Sequence, residues 1–224
     1  MRKVTKEYEV YKFNELEKDV QEEVLKRYTE SEHEFYIDNE LYDDMVDLAQ
    51  NTLENYFKGA EYQKIHYDLS YSQGSGAMIE FNIDLKDLNN KYKMLTNEEV
   101  KKCSDIGYTN IKVYHSNSRY YHERSFDIDW NDYTLYSYTS EYCENIEKVQ
   151  NKIDTMIDLF REDIVLMNEE IARGGYNMLE DKEHFEEMAM DDIKDLEFLS
   201  DGSVFDERNW IRWRWAFYIS SKCQ

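Results

Sequence analysis

The chain has 224 residues, of which 41% are hydrophobic, so it can bury a core as one domain or as two closely packed lobes. Its 49 Asp and Glu residues against 27 Lys and Arg residues give a net charge of −22, which argues against a nucleic-acid or anionic-membrane partner and favours a basic one. No apolar run of about 18 residues and no signal peptide are present, so we expect a cytoplasmic protein.

Two helices are predicted in the first 60 residues. Asn14 and Glu17 have the spacing of a capping box, which places the start of the first helix there. A stripe of apolar residues at every fourth position follows: Leu16, Val20, Val24 and Tyr28. A second apolar series predicts another helix that ends near Gly59, with Phe35, Leu41, Met45, Leu48, Leu53 and Phe57 on its buried face.

The stretch SYSQGSGAMIEF predicts a β-hairpin. Apolar residues alternate on both sides of the glycines, which indicates strands at about 62–72 and 77–85. The alternative is a phosphate-binding loop at Gly74–Gly76, but a strand follows these glycines in place of a helix, and no lysine accompanies them. We therefore interpret Gly74 and Gly76 as residues of a turn.

A short helix and a second strand pair are predicted next. Thr96 and Glu99 form a capping pattern for a helix near 96–104. Alternating residues at 111–115 and 120–130 predict two strands around the sequence SNS.

The clearest predicted element is a helix over residues 141–172, about 48 Å long. Its apolar residues recur in steps of three and four, as in a coiled-coil seam. They are Tyr142, Ile146, Val149, Ile153, Met156, Phe160, Ile164, Met167 and Ile171. Gly174 and Gly175 are predicted to end this helix, and a second acidic helix is predicted at about 180–199. Residues 141–200 carry a net charge of −12, more than half of the total.

The last part of the chain predicts a turn and a strand. Asp201-Gly202 is a hairpin signal. The sequence NWIRWRWAFYI alternates, which places Trp213 and Trp215 on a buried face and Arg212 and Arg214 on the other, where they could pair with the acidic helices. Stacking of these residues on single-stranded nucleic acid is an alternative, although two arginines make a weak footprint on so acidic a protein.

These elements predict the α+β class, with an antiparallel sheet of hairpins, helices on one side of it, and a long acidic helical hairpin. We expect a single domain over residues 1–224, in which the helical hairpin at 141–200 forms a sub-lobe.

Four stretches resemble acidic accessory proteins encoded by phages and prophages of low-GC bacteria. They are YKFNELEKDVQEEVLKRY, LSYSQGSGAMIEF, HSNSRYYHE and EFLSDGSVFD, and together they cover about a third of the chain in the same order. The resemblance implies a mobile-element origin and action in the cytoplasm of a host bacterial cell. It supplies no catalytic residue.

The main functional hypothesis concerns the acidic helices. Their carboxylates could imitate the regular negative charge of a nucleic-acid backbone and bind the basic channel of a host defence protein, such as a CRISPR effector or a restriction enzyme. The candidate partner-binding residues are Glu162, Asp163, Glu169, Glu170, Asp181, Glu183, Glu186, Glu187, Asp191, Asp192 and Asp195. A solvated helix surface with no partner is the alternative. Such an inhibitor would be no enzyme, would need no cofactor, and would act as a monomer or a homodimer.

Two further hypotheses compete with it. If the turn between the second strand pair were two residues long, His115 and His122 would share one face, and with His66 they could hold a metal ion in an enzyme. A longer turn would separate the two histidines. Alternatively, the seam of the long helix could join two copies of the chain in a regulatory or structural dimer. The cysteines Cys103, Cys143 and Cys223 show neither a disulfide framework nor a structural zinc motif.

Overall fold

The structure, a computed structural model, describes residues 7–105, 110–116, 118–130 and 146–205. The chain divides into a larger unit, residues 39–180, and a smaller unit whose described residues are 7–38 and 181–205. In chain order the elements are β1 (Tyr11–Lys12), α1 (Lys18–Asn39), α2 (Leu41–Tyr56), β2 (Glu61–Asp68), β3 (Gly76–Asp84), α3 (Leu85–Tyr92), α4 (Asn97–Asp105), β4 (Asn110–His115), β5 (Phe126–Asp129), α5 (Ile146–Glu180), α6 (Lys182–Ile193) and β6 (Glu197–Phe198). The predicted α+β class, with its long helix, is confirmed.

The larger unit is built around an antiparallel sheet in which β2, β3, β4 and β5 are neighbours in chain order. Helices α2 and α5 pack on this sheet. Three aromatic rings join the layers: Phe57 lies 5.6 Å from Phe81 and 4.9 Å from Phe160, measured between ring centroids. All three side chains are buried, so this cluster marks the centre of the core.

The long helix α5 uses its apolar seam inside the larger unit. The described seam residues from Ile153 to Ile171 are buried, and Val149 is half-buried. From Ile153 to Ile171 the seam therefore belongs to the chain's own core, and this part of it presents no apolar face to a second copy. The predicted seam residue Tyr142 lies outside the described residues.

The prediction that Gly174 and Gly175 end the long helix is wrong, because α5 continues to Glu180. The two glycines instead permit close packing. A Cβ atom on Gly174 would lie 2.5 Å from a methyl carbon of Leu48, and one on Gly175 would lie 2.7 Å from the sulfur of Met45. Both neighbours are in α2, so the glycines let α2 approach the helix closely.

The smaller unit packs α1, α6 and the two-stranded sheet of β1 and β6 around a small core. One buried cluster consists of Leu16, Val24, Ile193 and Phe198, and Val20 and Tyr28 pack against it, which confirms the predicted stripe. The predicted capping box is shifted, since Glu15 rather than Glu17 accepts a hydrogen bond, from the backbone N–H of Lys12 at 2.7 Å. It closes a 3₁₀ turn at Phe13–Glu15 that precedes α1.

Two further predictions about helices need correction. Phe35 lies in α1 and is exposed, so it does not belong to the buried face of α2. The predicted helix at 180–199 is shorter, because α6 ends at Ile193. Helices α5 and α6 fall into different units, and the single-domain organisation with a sub-lobe at 141–200 stays a prediction. In the described parts of the chain, no helix is both long and apolar enough to cross a membrane.

Candidate functional site

The predicted acidic residues of α5 differ in their surroundings. Asp163 accepts a hydrogen bond from the hydroxyl of Tyr92 at 2.7 Å and forms an ion pair with Lys91 at 2.7 Å. Glu170 accepts a hydrogen bond from the hydroxyl of Tyr56 at 3.1 Å. Glu162 and Glu169, which are exposed, each precede one of these residues and point about 100° away from it around the helix. Asp163 and Glu170 thus help to fasten α5 to its neighbours.

The pKa of the Tyr92 hydroxyl is raised far above its usual value. Burial is the largest cause, and the hydrogen bond and the negative charge of Asp163 add to it. The hydroxyl therefore stays protonated and keeps donating to Asp163, while Lys91 compensates the charge. This arrangement gives Asp163 a structural role and leaves its carboxylate little capacity for a partner.

The predicted acidic residues of α6 form one exposed face. Glu183, Glu187 and Asp191 recur every four residues, away from the buried side chains of the same helix, and Glu186 lies at the edge of this row next to the buried side. The buried side chains are Phe185, Ala189 and Ile193. We call these four acidic residues the acidic face. Asp191 forms a hydrogen bond with Lys194 at 2.9 Å. Among the described residues, Glu183, Glu186 and Glu187 have no ion pair and no side-chain hydrogen bond.

The acidic face surrounds an apolar side chain. Met190 is 40% exposed, and its position in α6 lies between those of Glu186, Glu187 and Asp191 on the same side of the helix. A flexible methionine within a charged rim is typical of protein interfaces, where Met is enriched and the rim is polar.

The other predicted acidic residues of this region have separate roles. Asp181 caps α6, and its carboxylate accepts a hydrogen bond from the backbone N–H of His184 at 3.1 Å. Asp192 is exposed. Burial is the largest cause of the raised pKa of Tyr28, and the negative charge of Asp192 also raises it. Asp195 is exposed, and its backbone carbonyl accepts a hydrogen bond from Lys12 at 3.3 Å. None of these three lies within the acidic face.

The negative charge is concentrated in the smaller unit. Its 57 described residues include 20 acidic and 6 basic residues. The 122 described residues of the larger unit include 24 acidic and 14 basic residues. The charge excess per residue is therefore about three times higher in the smaller unit. The sequence window 141–200 missed this difference, since the smaller unit joins two distant parts of the chain.

The predicted pairing of His115 with His122 is wrong. β4 and β5 pair with His115 opposite Phe126, so the turn between them is ten residues long, and His122 lies in that connection. The nitrogen Nδ1 of His122 accepts the backbone N–H of Arg124 at 3.1 Å. No cluster of at least three His, Cys, Asp or Glu side chains suited to a metal ion occurs among the described residues.

His66 and His115 do come together, in a stack covered by Tyr121. The two imidazole centroids are 4.9 Å apart, and the Tyr121 ring lies 5.8 Å from His66 and 5.2 Å from His115. Glu80 joins the group, because its Oε1 atom lies 2.8 Å from Nε2 of His66 and accepts the backbone N–H of His115 at 3.2 Å. Glu80 was not singled out from the sequence, although its alternation with Met78 and Asn82 in β3 places it beside β2 and β4.

Neighbouring residues explain why the hairpin loop has glycine at positions 74 and 76. Gly74 has φ +92°, and a Cβ atom there would lie 2.1 Å from the ring of Tyr120. Gly76 has φ +153°, and its Cβ would lie 3.0 Å from the Cα atom of His122. The carbonyl of Gly74 accepts the backbone N–H of Tyr121 at 3.1 Å. The loop therefore receives the 120–122 segment, and the interpretation of these glycines as turn residues fits this geometry.

Comparison with known proteins found no match to this chain among protein-family models, curated proteins or solved structures.

Proposed function

We propose that the protein is a non-enzymatic inhibitor that binds the basic nucleic-acid channel of a host defence protein, of the CRISPR-effector or restriction-enzyme type. The acidic face of α6 is the contact surface in this proposal. The observation that carries it is the exposed row of Glu183, Glu186, Glu187 and Asp191, of which only the last is paired within the described residues.

The spacing of the acidic face supports this choice. Residues 183 to 191 span about 12 Å of helix axis, so the four carboxylates follow one another at about 4 Å on average. Phosphates on one strand of duplex DNA advance by about 3.4 Å along the axis. A basic channel that holds a short stretch of one strand could thus accept the acidic face.

Repulsion between the acidic residues of α6 favours a role in binding over a role in folding. Glu183 and Glu187, and likewise Glu187 and Asp191, are like-charged pairs four residues apart, and Glu183 and Glu186 are three apart. Each such pair destabilises a helix by about 0.2–0.5 kcal/mol. Charges that cost stability are typical of surfaces that serve binding.

Met190 makes a protein partner the better fit. Its exposed side chain would be desolvated against an apolar part of the channel wall, while the carboxylates pair with surrounding Lys and Arg side chains. The resemblance to phage-encoded accessory proteins agrees with a target in the host's defence.

The test compares two variants with the same change in charge. One neutralises the acidic face with Glu183→Gln, Glu186→Gln, Glu187→Gln and Asp191→Asn. The matched control neutralises exposed acids of α5 with Asp154→Asn, Asp158→Asn, Glu162→Gln and Glu169→Gln. CRISPR effectors and restriction enzymes of low-GC bacteria are purified free of nucleic acid and then loaded with a fluorescent duplex. Each protein is titrated into them, and displacement of the duplex is followed by anisotropy between 50 and 500 mM salt.

We expect the unchanged protein to displace the duplex from at least one enzyme, with an affinity that falls as salt rises. The acidic-face variant should bind at least roughly tenfold more weakly, while the control variant stays close to the unchanged protein. An equal loss in both variants would show that the total charge, not the acidic face, is responsible. Failure to displace the duplex from any enzyme would contradict the proposed function.

A further inference from the structure

The connection between β4 and β5 is held on the sheet by the stacked rings described above. His66 in β2 and His115 in β4 stack on each other, and Tyr121 of the connection covers both. We propose that His66, His115, Tyr121 and Glu80 form a pH-sensitive latch, which holds the 118–125 segment on the β2–β3 hairpin near neutral pH and releases it in mild acid.

The hydrogen bonds define which ring nitrogens carry protons. Nε2 of His66 lies 2.8 Å from the Glu80 carboxylate, and Nε2 of His115 lies 3.0 Å from the carbonyl oxygen of Tyr120. Both oxygens only accept hydrogen bonds, so each Nε2 carries the hydrogen. The neutral His66 ring therefore adds its second proton at Nδ1 and then becomes a cation.

The closed latch disfavours a positive charge on His66. The side chain of His66 is only 15% exposed, and a second imidazole lies 4.9 Å away. Burial is the largest cause of the lowered pKa of His66; the hydrogen bond and charge of Glu80 oppose it, and Lys64 and His115 lower the pKa further. A second charge on His115 would add repulsion inside the same stack.

The direction of the pH effect follows from this. Because Tyr121 covers His66 in the closed latch and burial lowers the pKa of this ring, the closed latch binds a proton there less readily than the open segment does. Its stability is therefore full above the higher pKa that His66 has when the segment is open. It declines as the pH falls from there through the lowered pKa of His66, and it levels off below that value.

The groups that face His66 come from every neighbouring element. They are Lys64 from β2, Glu80 from β3, His115 from β4 and Tyr121 from the connection. Between pH 7.5 and 5, histidine is the only one of these side-chain types that ordinarily changes charge. His122 lies in the same segment, and charging its Nδ1 would break its hydrogen bond with the N–H of Arg124, so amides 122–124 are not used as the readout.

The amide of Tyr121 reports on the latch directly, since it donates to the carbonyl of Gly74 across the closed segment. Its hydrogen-exchange protection factor, corrected for the intrinsic pH dependence of exchange, is measured by NMR from pH 7.5 to 5.0. The pKa of the His66 ring is measured on the same samples. Protection should fall as the pH drops from the pKa of His66 in the open segment to the lower pKa measured in the closed one, by about tenfold for each pKa unit that separates the two.

Two variants and a control make the result specific. His66→Gln keeps a donor for Glu80 but cannot titrate, so the protection of the Tyr121 amide should depend on pH much less than in the unchanged protein. His184→Gln, an exposed histidine of α6, should behave like the unchanged protein. A pH-independent Tyr121 amide in the unchanged protein, or an unaltered pH dependence in His66→Gln, would overturn the proposal.

Glu80→Gln provides an independent check if His66→Gln does not fold. The glutamine keeps an acceptor for His66 and for the N–H of His115 but removes the negative charge that raises the His66 pKa. The midpoint of the fall in protection should therefore move to lower pH. A midpoint that stays in place or moves to higher pH would overturn the latch.

Discussion

The two units of the chain use their acidic residues differently. In the larger unit, some carboxylates fasten elements to one another: Asp163 binds Lys91 and Tyr92, and Glu99 binds Lys152 at 2.7 Å. In the smaller unit, the acidic face of α6 is exposed, and three of its four members have no ion pair within the described residues. The net charge does not show this contrast. It becomes visible from the hydrogen bonds and ion pairs that each carboxylate makes.

The cores of the two units also differ in size. The larger unit buries three mutually contacting aromatic rings between two helices and the sheet. Among the described residues, the smaller unit buries seven hydrophobic side chains and the larger unit buries 27. We therefore infer that the larger unit provides a rigid framework, while the smaller unit accepts repulsion between charges on a modest core.

The largest expected effect tests the core of the larger unit. Phe160→Ala removes the ring that contacts both Phe57 and Phe81, and it should lower the free energy of unfolding by about 3–5 kcal/mol. Urea unfolding, monitored through the hydrogen exchange of α5 amides, measures this loss of unfolding free energy. Leu166→Ala is the matched control on the same helix, where the side chain is 52% exposed, and its effect should stay within about 0.5 kcal/mol. Similar losses in both variants would contradict the placement of the core.

A smaller effect tests whether acids of the larger unit are structural. Asp163→Ala removes the ion pair with Lys91 and leaves the hydroxyl of Tyr92 without its acceptor. The side chain of Asp163 is 27% exposed, so solvent screens part of this interaction. We expect a loss of about 1–2 kcal/mol in the unfolding free energy. A double-mutant cycle with Lys91→Ala gives the interaction free energy between Asp163 and Lys91. An interaction free energy of zero would contradict a structural role for Asp163.

The smallest effect has the opposite sign. Glu187→Gln relieves the repulsion with both Glu183 and Asp191, and each like-charged pair is worth about 0.2–0.5 kcal/mol in a helix. The variant should therefore be slightly more stable than the unchanged protein at low salt, as measured by thermal unfolding. Glu98→Gln on α4 is the contrasting variant, since Glu98 pairs with Lys102 at 2.9 Å and its loss should not stabilise the protein. A loss of stability in Glu187→Gln would contradict the repulsion on α6.

Local patterns predicted much of the fold. The alternation of apolar residues predicted the pairing of β2 with β3. The Thr96–Glu99 capping box is also present. The N–H of Thr96 donates to the carboxylate of Glu99 at 2.7 Å, and the N–H of Glu99 donates to the hydroxyl of Thr96 at 3.2 Å. These signals need only neighbouring residues. The predicted strand at 210–219 and the proposed pairing of Arg212 and Arg214 lie outside the described residues.

The failures occurred where distant contacts decide. Gly174 and Gly175 stay helical because α2 packs closely against them, which outweighs the usual tendency of glycine to end a helix. Helix α3 was missed, although the spacing of Leu85 and Leu88 changes from the strand period to the helical one.

The connection that carries His122 depends on a buried residue of another element. The side chain of Asn168 in α5 accepts the N–H of Ile79 at 3.3 Å and donates to the carbonyl of Glu123 at 3.1 Å. No local pattern in the sequence specifies such a bridge.

The candidate site was predicted in part. The residues of the acidic face were among the predicted binding residues, but the grouping with Asp163 and Glu170 joined exposed charges to structural ones. Adjacent positions on a helix point in different directions, and the sequence does not show which of them meets a tyrosine or a lysine of another element.

The most direct test of the contrast between the units is the salt dependence of amide exchange in the unchanged protein. Protection factors of α6 and α5 amides are measured at 20 and 500 mM sodium chloride. Because salt screens repulsion between exposed charges, protection in α6 should rise while protection in the buried part of α5 stays constant or falls slightly. An equal response of both helices, or a loss of protection in α6, would contradict the account that the smaller unit holds unpaired acidic charge and the larger unit uses its charge for structure.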